Sequence, residues 1–394
     1  MKQLIAQLSH RYTENLIAHR RHLHAHPEPS FEEFATRDYI VSVLTKAGLE
    51  PVTFADGCGV VCRIKGDRPG RSIAFRADID ALRMQEENSA DECPYRSQND
   101  GVMHACGHDG HTAVLLAFAE AMSAHRELIA GEVVCIFQHA EETPPGGAAY
   151  LIAQGALDGV DEIYGMHLWP ALDYGEIGYT HGAMMAAADM FEVVFTGPGG
   201  HGSQPHNSKD VLLAACSAVE QYQGIMSRQV AALDTAVVSV CRLSSGTTYN
   251  VIPDRAELSG TVRTFSEDVQ SLIMERIERI SHGIADMYGI GCNVNYQKGF
   301  PALINHPDIV DRAVQSISAH TSVKPVPVQP VMIGEDYALY VKKVQGAFFF
   351  VGCRNRAKGI DCAIHSPVYQ MDEDALNAAF ECFLAIYLDS VKQA

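Results

Sequence analysis

Short, strongly apolar segments alternate along much of the chain with segments whose apolar residues recur at helical spacing. The first kind is typical of buried strands and the second of amphipathic helices. Expected strands cover 72–76, 132–138, 162–166 and 347–351, and expected helices cover 4–24, 30–47, 112–124, 147–154 and 372–389. Ser30 is the expected N-cap of the second helix. Strands that alternate with helices predict an α/β fold with a mostly parallel sheet.

The middle of the chain has a different pattern. Strands are expected at 190–196, 235–243, 255–265 and 292–296, and helices at 208–227 and 266–288. In chain order this gives β-α-β-β-α-β, which is the ferredoxin-like α+β arrangement. Because the α/β pattern resumes afterwards, we expect 186–297 to be a small domain inserted into a larger, discontinuous domain of 1–185 plus 298–394.

Composition and charge exclude several classes of protein. The 394 residues are 47% hydrophobic and 20% charged, as in an ordinary globular chain. The 30 Lys and Arg against 48 Asp and Glu give a net charge of −18, which disfavours binding to nucleic acid or to an acidic membrane surface. We expect no signal peptide, and the apolar runs fall short of the ~20 residues of a membrane span. The 11 cysteines, irregularly spaced, indicate reduced thiols and a cytoplasmic location.

Acidic and imidazole side chains follow the predicted strands where they end. Asp78, the segment 139–142 and His167 each lie within a few residues of the end of an apolar strand. Near the end of the chain, His365 belongs to a similar polar cluster. In open α/β sheets the ligand crevice lies beyond the carboxyl ends of the strands, so we expect these side chains to form a site.

The segment 103–112 gives the strongest single signal. Cys106 and His108 lie two residues apart just before an apolar helix. A thiolate and an imidazole are a good ligand pair for a divalent transition metal. A glycine-containing turn with solvated histidines is the alternative, and the clusters at the other strand ends favour the metal site. His104 and His111 flank the pair and are expected at most to support it.

Two adjacent glutamates, Glu141 and Glu142, lie just after the predicted strand 132–138. Adjacent side chains of an extended chain point in opposite directions, so the two carboxylates can do different jobs. One can bind metal while the other acts as a general base towards water. A solvated acidic rim is the alternative. His139 upstream and the Pro-Pro-Gly-Gly loop at 144–147 favour the functional interpretation.

Nine segments in chain order carry a family resemblance. They are RRHLHAHPEPSFEE at 20–33, FRADIDAL at 75–82, MHACGHDGHTA at 103–113, HAEETPPGGA at 139–148, MHLWP at 166–170, GPGGHGSQPH at 197–206, NVIPD at 250–254, GEDY at 334–337 and HSP at 365–367. Together they resemble the co-catalytic metal amidohydrolases, in the branch of hippurate hydrolases, aminoacylases and auxin–amino-acid conjugate hydrolases. The resemblance implies a metal-binding α/β domain with an inserted ferredoxin-like domain that serves for dimerisation or as a lid.

The resemblance also implies two divalent metal ions per subunit. The implied ligands are Cys106, His108, Glu142, His167 and His365, and the implied general base is Glu141. More distant peptidase relatives carry an H-x-D motif where this chain has Arg76 and Asp78. One ligand is therefore lost there, Cys106 is its candidate replacement, and Asp78 is expected to support the site without binding metal. The identity of the metal stays open among Zn, Mn, Ni and Co.

Further roles implied by the resemblance fall in the inserted domain. His201, in a glycine-rich turn, is expected to polarise the scissile carbonyl, in its own subunit or in a partner's. Asn250 and Arg263 are candidates for binding the carboxylate of the substrate. For Arg263, an outward-facing strand residue is an equal alternative. A homodimer or a higher homo-oligomer is expected.

The implied reaction is metal-assisted hydrolysis of the amide that joins an acyl group to an amino acid, as in hippurate or N-acetyl amino acids. A serine nucleophile is not expected, because the chain lacks G-x-S-x-G between a strand and a helix. Two alternatives stay open. The same residues could make a carboxypeptidase or dipeptidase, or a metal-binding scaffold that has lost activity. The presence of both Glu141 and Glu142 argues against the scaffold, because binding alone needs only one.

Overall fold

A computed structural model describes residues 1–391 of the chain, which fall into two compact units. Unit 1 comprises Met1–Met184, Ile304–Gln329 and the chain from Asp336 onward, and unit 2 comprises Met185–Leu303 with Pro330–Glu335. The sequence did not anticipate that the segment Pro330–Glu335 returns to unit 2. The domain boundaries at 186 and 297 stay a prediction.

The elements alternate as follows. The helices are α1 (Lys2–Ala25), α2 (Phe34–Lys46), α3 (His108–Ala124), α4 (Ala148–Ala153), α5 (Val211–Arg228), α6 (Glu267–Tyr288), α7 (Pro307–His320), α8 (Ala338–Val341) and α9 (Asp374–Ser390). The strands are β1 (Val52–Thr53), β2 (Val60–Lys65), β3 (Arg68–Asp78), β4 (Ala130–Gln138), β5 (Glu162–Asp173), β6 (Glu176–Tyr179), β7 (Ala183–Met185), β8 (Ala187–Thr196), β9 (Gly200–His201), β10 (Ala236–Ser245), β11 (Val251–Ile252), β12 (Arg255–Thr264), β13 (Gly291–Phe300), β14 (Leu303–Ile304), β15 (Lys324–Pro327) and β16 (Gln345–Arg354).

Unit 1 is built on an eight-stranded sheet in the order β1-β2-β4-β3-β5-β16-β6-β15. Its centre is parallel, because β3 pairs with β4 and β5, and β5 pairs with β16. The four strands predicted in this part of the chain lie within β3, β4, β5 and β16. The α/β class with a mainly parallel sheet is therefore confirmed. The carboxyl ends of β3 and β4 lie side by side, and β5 passes next to the end of β3 at His167, where the polar clusters were expected.

Helix α3 forms the centre of the core of unit 1. It is apolar around most of its circumference, and such a helix has to be buried on all sides. Phe118 of α3 packs against Phe75 of β3 and Phe383 of α9, with ring centroids 4.7 and 5.8 Å away. The hydroxyl of Thr112 donates to the carbonyl of Asp78 at 2.9 Å, which holds the first turns of α3 at the carboxyl end of β3. No helix within residues 1–391 is long and apolar enough to cross a lipid bilayer.

Helix α2 begins four residues later than its sequence predicts. Ser30 is not its N-cap, because the hydroxyl of Ser30 donates to the carboxylate of Asp80 at 2.7 Å. Glu33 is the N-cap, and α2 begins at Phe34. The amides of the first turn donate to the carboxylate of Glu28, at 3.1 and 2.7 Å. Side chains from outside the helix thus determine where it starts.

Unit 2 has a four-stranded antiparallel sheet in the order β10-β12-β8-β13. Helices α5 and α6 connect the strands and cover one face of the sheet, so the expected ferredoxin-like arrangement is confirmed. Phe191, Val193 and Phe195 of β8 point towards these helices and are fully buried in their core. Because the side chains of a strand alternate, the residues between them lie on the other face of the sheet.

Candidate metal centre

The loop that precedes α3 brings Cys106 and His108 to the carboxyl edge of the sheet in unit 1. Gly107, between them, has φ of 91°, and an added Cβ there would lie 3.0 Å from the hydroxyl of Tyr369. Glycine is the residue that adopts this left-handed conformation at little cost. The sharp turn buries both Cys106 and His108 at the start of α3.

Backbone carbonyls fix which ring nitrogen of two histidines is protonated. His108 donates from Nδ1 to the carbonyl of Asp80 at 3.0 Å, and His167 donates from Nδ1 to the carbonyl of Leu168 at 2.8 Å. A carbonyl can only accept, so Nδ1 of each ring carries a proton, and Nε2 is the nitrogen left to bind a metal ion. Nε2 of His108 is buried without a hydrogen-bond partner, and Nε2 of His167 lies 3.4 Å from Sγ of Cys106. Both rings therefore direct Nε2 to the same place.

Glu142 and His365 complete this group of side chains. Oε1 of Glu142 lies 3.2 Å from Nε2 of His365 and 3.9 Å from Nε2 of His108, and it is buried without a hydrogen-bond partner. His365 is held in the left-handed region, with φ of 59°, while its amide donates to the carbonyl of Ala105 at 2.8 Å. A residue other than glycine adopts such a conformation only when its surroundings enforce it.

Three overlapping clusters of potential ligand atoms together contain the implied ligands and the implied base. Within each cluster the atoms lie within 4.8 Å of one another: Cys106 with His108 and His167, Cys106 with Glu142 and His365, and His108 with Glu141 and Glu142. The structure thus brings together all five ligands that the family resemblance implies, together with the implied base. Because three of these residues each belong to two clusters, the arrangement has room for more than one ion.

The chemistry of these side chains fits divalent transition metals. Such ions prefer thiolate, imidazole and carboxylate donors. Nε2 of His108 and Oε1 of Glu142, which are buried without a hydrogen bond, supply an imidazole and a carboxylate donor. Burial and the nearby carboxylates of Glu142 and Glu141 raise the pKa of the Cys106 thiol well above its usual value. A nearby cation would reverse this effect, since metal coordination deprotonates a thiol.

Asp78 lies beside the clusters, and its two carboxylate oxygens are occupied. Oδ2 accepts from Nη1 of Arg76 at 2.6 Å, and Oδ1 accepts from Nδ1 of His111 at 2.6 Å. Burial alone would raise the pKa of Asp78, but His108, Arg76 and His111 hold it well below its usual value. Arg76, in the place of the histidine of the H-x-D motif, also donates to Asp336 at 2.8 Å and to Gln138 at 2.9 Å. It links three buried polar side chains.

His111 has both ring nitrogens occupied. Its Nδ1 donates to Asp78, while its Nε2 accepts from the amide of Leu168 at 2.8 Å. The ring is therefore neutral, which agrees with a pKa lowered by burial. His111 fixes the backbone that follows His167, a role that the sequence indicated only by its place next to the ligand loop.

Asp80 is a site residue that the sequence interpretation did not single out. Its Oδ2 accepts from the hydroxyl of Ser30 at 2.7 Å and from the amide of Glu142 at 3.0 Å. Its Oδ1 lies 3.2 Å from Nδ1 of His108. Asp80 thus contacts two implied ligands at once. Its position two residues after Asp78 at the end of a buried strand was the signal available in the sequence.

A second buried cluster, of His24, Glu86 and Cys93, has the composition of a metal site but is already satisfied. Nδ1 of His24 lies 2.8 Å from Oδ2 of Asp109, and its Nε2 lies 3.3 Å from Oε1 of Glu86. Nε of Arg20 donates to the same Asp109 oxygen at 2.9 Å. With both nitrogens of His24 facing carboxylates, the cluster is an ion network that joins α1 to the start of α3.

The other implied site residues belong to unit 2. His201 lies in β9 and is exposed, and its Nδ1 accepts from the amide of Ser203 at 3.1 Å. Asn250 is exposed at the end of a loop, and its carbonyl accepts from the amide of Gly202 at 2.8 Å. Arg263 lies half-buried on β12, where Nη1 donates to the carbonyl of Val262 at 3.1 Å. Burial lowers the pKa of its guanidinium.

Known proteins resemble this chain over nearly its whole length. The family model described as "Peptidase family M20/M25/M40" matches residues 74–389. An N-acyl-L-amino acid amidohydrolase of Geobacillus stearothermophilus is 42% identical over 307 residues, which are 78% of this chain and 82% of the relative. An N-acetylcysteine deacetylase of Bacillus subtilis is 38% identical over 381 residues, 96% of this chain and 98% of the relative.

Two further proteins bear on the chemistry. Thermostable carboxypeptidase 2 of Saccharolobus solfataricus is 36% identical over 367 residues, 92% of this chain and 91% of the relative. Among solved structures, the YXEP protein of Bacillus subtilis, described as a dinuclear metal binding peptidase of the M20 family, superimposes with a TM-score of 0.84. It is 35% identical, and the match covers 98% of this chain and 99% of that chain.

Proposed function

The chain belongs to peptidase family M20/M25/M40, as a metal-dependent amidohydrolase, and from that premise we propose that it cleaves the amide of N-acyl amino acids. The observation that carries this proposal is a set of overlapping clusters that contain Cys106, His108, Glu142, His167 and His365, one of which includes the carboxylate of Glu141. We propose small substrates of the hippurate or N-acetyl-amino-acid type, and a reducing, cytoplasmic setting in which the scattered cysteines stay thiols.

We assign five ligands to two divalent ions: Cys106, His108, Glu142, His167 and His365. The overlapping clusters support two ions, as does the dinuclear relative. When bound, the ions would lower the pKa of a water from ~15.7 towards ~7 and polarise the carbonyl of the substrate. Zn, Mn, Ni and Co all suit this mixture of donors.

Glu141 is the proposed general base. It lies in the loop that follows β4, is 7% exposed, and has its carboxylate within 4.8 Å of the donor atoms of His108 and Glu142. We propose that Glu141 takes a proton from the attacking water and returns it to the nitrogen of the leaving amine. Because it is nearly buried, the carboxylate performs this transfer away from bulk solvent. Asp78 orients the site through His111 and does not bind metal.

Unit 2 supplies the remaining proposed roles. His201 would stabilise the oxyanion that forms on the scissile carbonyl. Its imidazole is exposed, and Ser203 contacts Nδ1 and not Nε2, so Nε2 is the nitrogen proposed to face the substrate. Asn250 and Arg263 would bind the carboxylate of the substrate. We propose a homodimer formed through unit 2. These roles rest on the family resemblance and, for His201 and Asn250, on the exposure of the side chains.

Peptide cleavage is the second candidate function, favoured by the similarity to a thermostable carboxypeptidase. A peptide and an N-acyl amino acid present the same amide and the same terminal carboxylate. They differ in the free amino group of the peptide, so the residues around the acyl group decide between them.

A substrate panel distinguishes the two functions. Metal-depleted protein is supplied with Mn²⁺, Zn²⁺, Co²⁺ or Ni²⁺ and assayed with hippurate, N-acetyl amino acids and dipeptides. We expect kcat/KM to be highest for an N-acyl amino acid. A higher kcat/KM for dipeptides would favour the peptidase, and hydrolysis of none of these substrates would contradict both functions.

A further inference from the structure

We propose that Glu33 is a positioning residue for catalysis: its carboxylate holds the backbone next to Glu141 and so fixes where the general base lies. This inference rests on the proposed function, because it concerns the base of that reaction. Glu33 is not one of the implied metal ligands, and no role for it was predicted from the sequence. Its carboxylate nevertheless lies in the interior of unit 1, and the residue is fully buried.

The amides on both sides of Glu141 donate to buried carboxylates. The amide of Ala140 donates to Oε1 of Glu33 at 2.7 Å, and the amide of Glu142 donates to Oδ2 of Asp80 at 3.0 Å. Hydrogen bonds to charged acceptors are shorter and stronger than those between neutral groups. The peptide segment that carries Glu141 is therefore held at two points, one before the residue and one after it. Asp80 also contacts the implied metal ligand His108, whereas Glu33 contacts the amide that precedes the base.

Ala140 has a backbone conformation that needs such support. Its φ is 52°, in the left-handed region that residues with a Cβ seldom adopt. It is fully buried, so its amide cannot turn to water if the acceptor is lost. Without the carboxylate of Glu33, the backbone could relax to an ordinary φ and would carry Glu141 with it. A shift of about 1 Å in a catalytic group can cost roughly 10²-fold in rate.

Glu33 is itself firmly anchored. It is the N-cap of α2, and its carbonyl accepts from the amide of Arg37 at 2.9 Å. Glu28, five residues earlier, accepts two amides of α2 with its carboxylate, and its carbonyl accepts from the amide of Ala81 at 2.8 Å. The start of α2 is therefore tied to the polypeptide just after Asp80. A carboxylate on such an anchor can hold Ala140 in a fixed place.

The contact depends on reach more than on charge. Burial, followed by the neighbouring charge of Asp80, raises the pKa of Glu33 to about 7. A carboxyl oxygen accepts a hydrogen bond in either protonation state, provided that it reaches the amide. Substitutions that separate length from charge therefore test the role.

Two variants make this separation. Glu33→Gln keeps the length and an acceptor oxygen but has no charge, and Glu33→Asp keeps the charge but is one methylene too short. Each is compared with the same change at Glu32, an exposed neighbour whose carboxylate pairs with Arg83. The measurements are kcat and KM on the best substrate of the panel, metal content, and hydrogen exchange of the peptide that covers 138–143.

We expect Glu33→Asp to lower kcat by about tenfold or more, with KM and metal content within about twofold of the wild type. Exchange of the 138–143 peptide should rise in the same variant. Glu33→Gln should keep most of kcat and the wild-type exchange, and both Glu32 variants should behave as wild type. Wild-type kcat in Glu33→Asp would overturn the inference. So would a loss in Glu33→Gln that exceeds the loss in Glu33→Asp, or a loss of kcat that follows metal content.

The exchange measurement keeps this test separate from that of the proposed function. If the wild type hydrolyses no substrate of the panel, the proposed function fails. Faster exchange in Glu33→Asp with wild-type exchange in Glu33→Gln would then still support the contact with Ala140. Equal exchange in both variants and the wild type would overturn it.

Discussion

Backbone groups fix the chemical state of the imidazoles at the centre. His108 and His167 each donate a hydrogen bond from Nδ1 to a carbonyl, so Nε2 is the nitrogen that each can offer to a metal ion. His111 uses its Nδ1 on Asp78 and accepts an amide with Nε2, and has no lone pair left to offer. Three histidines of similar burial thus divide into two potential ligands and one support. The division follows from what each second nitrogen contacts.

The adjacent glutamates are expected to give different phenotypes. Glu141→Gln should keep metal and fold but lose turnover by roughly 10²-fold or more, as the loss of a general base does. Glu142→Gln should lower metal occupancy, because Oε1 of Glu142 lies among the donor atoms of His108 and His365. Metal content, far-UV circular dichroism and kcat of the two variants are the measurements. Each change is nearly isosteric, so a difference in packing cannot explain different phenotypes of the two variants. An equal fall of metal content in both variants would contradict this division of labour.

The residue types of the site were predictable from the sequence, but their supports were not. Cys106, His108 and the glutamate pair stand out because metal ligands and strand ends have recognisable patterns. Asp80 and Glu33 contact segments about sixty and one hundred residues away along the chain. Such contacts depend on how strands and loops pack together, which local patterns do not specify. Hydrogen bonds that orient a ligand are therefore visible only in the folded chain.

At the scale of elements, α1 supports the ligand loop through charge. Arg20 and His24 of α1 both contact Oδ2 of Asp109, the residue after His108. The side chains of Arg20 and Asp109 are almost completely buried. Removing one partner of a buried ion pair leaves an uncompensated charge. Loss of Arg20 or of Asp109 should therefore destabilise the packing of α1 against α3.

This network predicts a pH dependence of stability. Burial and Arg20 would lower the pKa of His24, but hydrogen bonds to Asp109, Cys93 and Glu86 raise it from 6.5 to about 10. A pKa above the unfolded value means that the stabilisation is full below pH 6.5 and is lost as pH rises towards about 10. In that window the contribution of His24 to the free energy of unfolding should fall by about 1.4 kcal/mol per pH unit.

Denaturant unfolding at several pH values tests this dependence. His24→Gln should remove the slope that is due to His24, so the difference between wild type and variant should shrink from pH 6.5 to about 10. His22→Gln is the matched control, because His22 lies on the same helix and partial desolvation lowers its pKa instead of raising it. A constant difference between wild type and His24→Gln across the window would contradict a protonated His24.

Elements differ in how far the sequence predicts them. The strands β3, β4, β5 and β16 were found because a strand buried on both faces is a continuous apolar run. The start of α2 was misplaced by four residues, because Ser30 fits an N-cap locally but gives its hydroxyl to Asp80 in the fold. A side chain with two possible partners is decided by tertiary structure.

At the scale of the whole molecule, the core of unit 1 forms without a contribution from the metal ligands. Aromatic and aliphatic side chains of β3, α3 and α9 fill it, whereas the ligands lie at the carboxyl edge of the sheet. We therefore expect chelation to abolish hydrolysis while far-UV circular dichroism is retained, and one or more divalent ions to restore the rate. An analogue of the chelator that cannot bind metal controls for nonspecific effects. Full turnover of protein verified to be free of metal would contradict metal dependence.

The proposed homodimer gives a test of where His201 acts. We expect His201→Ala to lower kcat while metal content stays unchanged, because an oxyanion donor acts in the transition state. If His201 works across the subunit interface, a mixture of His201→Ala and Glu141→Gln proteins should regain activity, since each mixed dimer combines one intact Glu141 with one intact His201. Half of randomly exchanged dimers are mixed and carry one complete site of two, so up to about one quarter of wild-type activity should return.

Differently tagged subunits verify the exchange, and each variant exchanged with itself is the control. No recovery despite verified exchange would place the action of His201 within one chain, and full activity of His201→Ala alone would remove it from the mechanism.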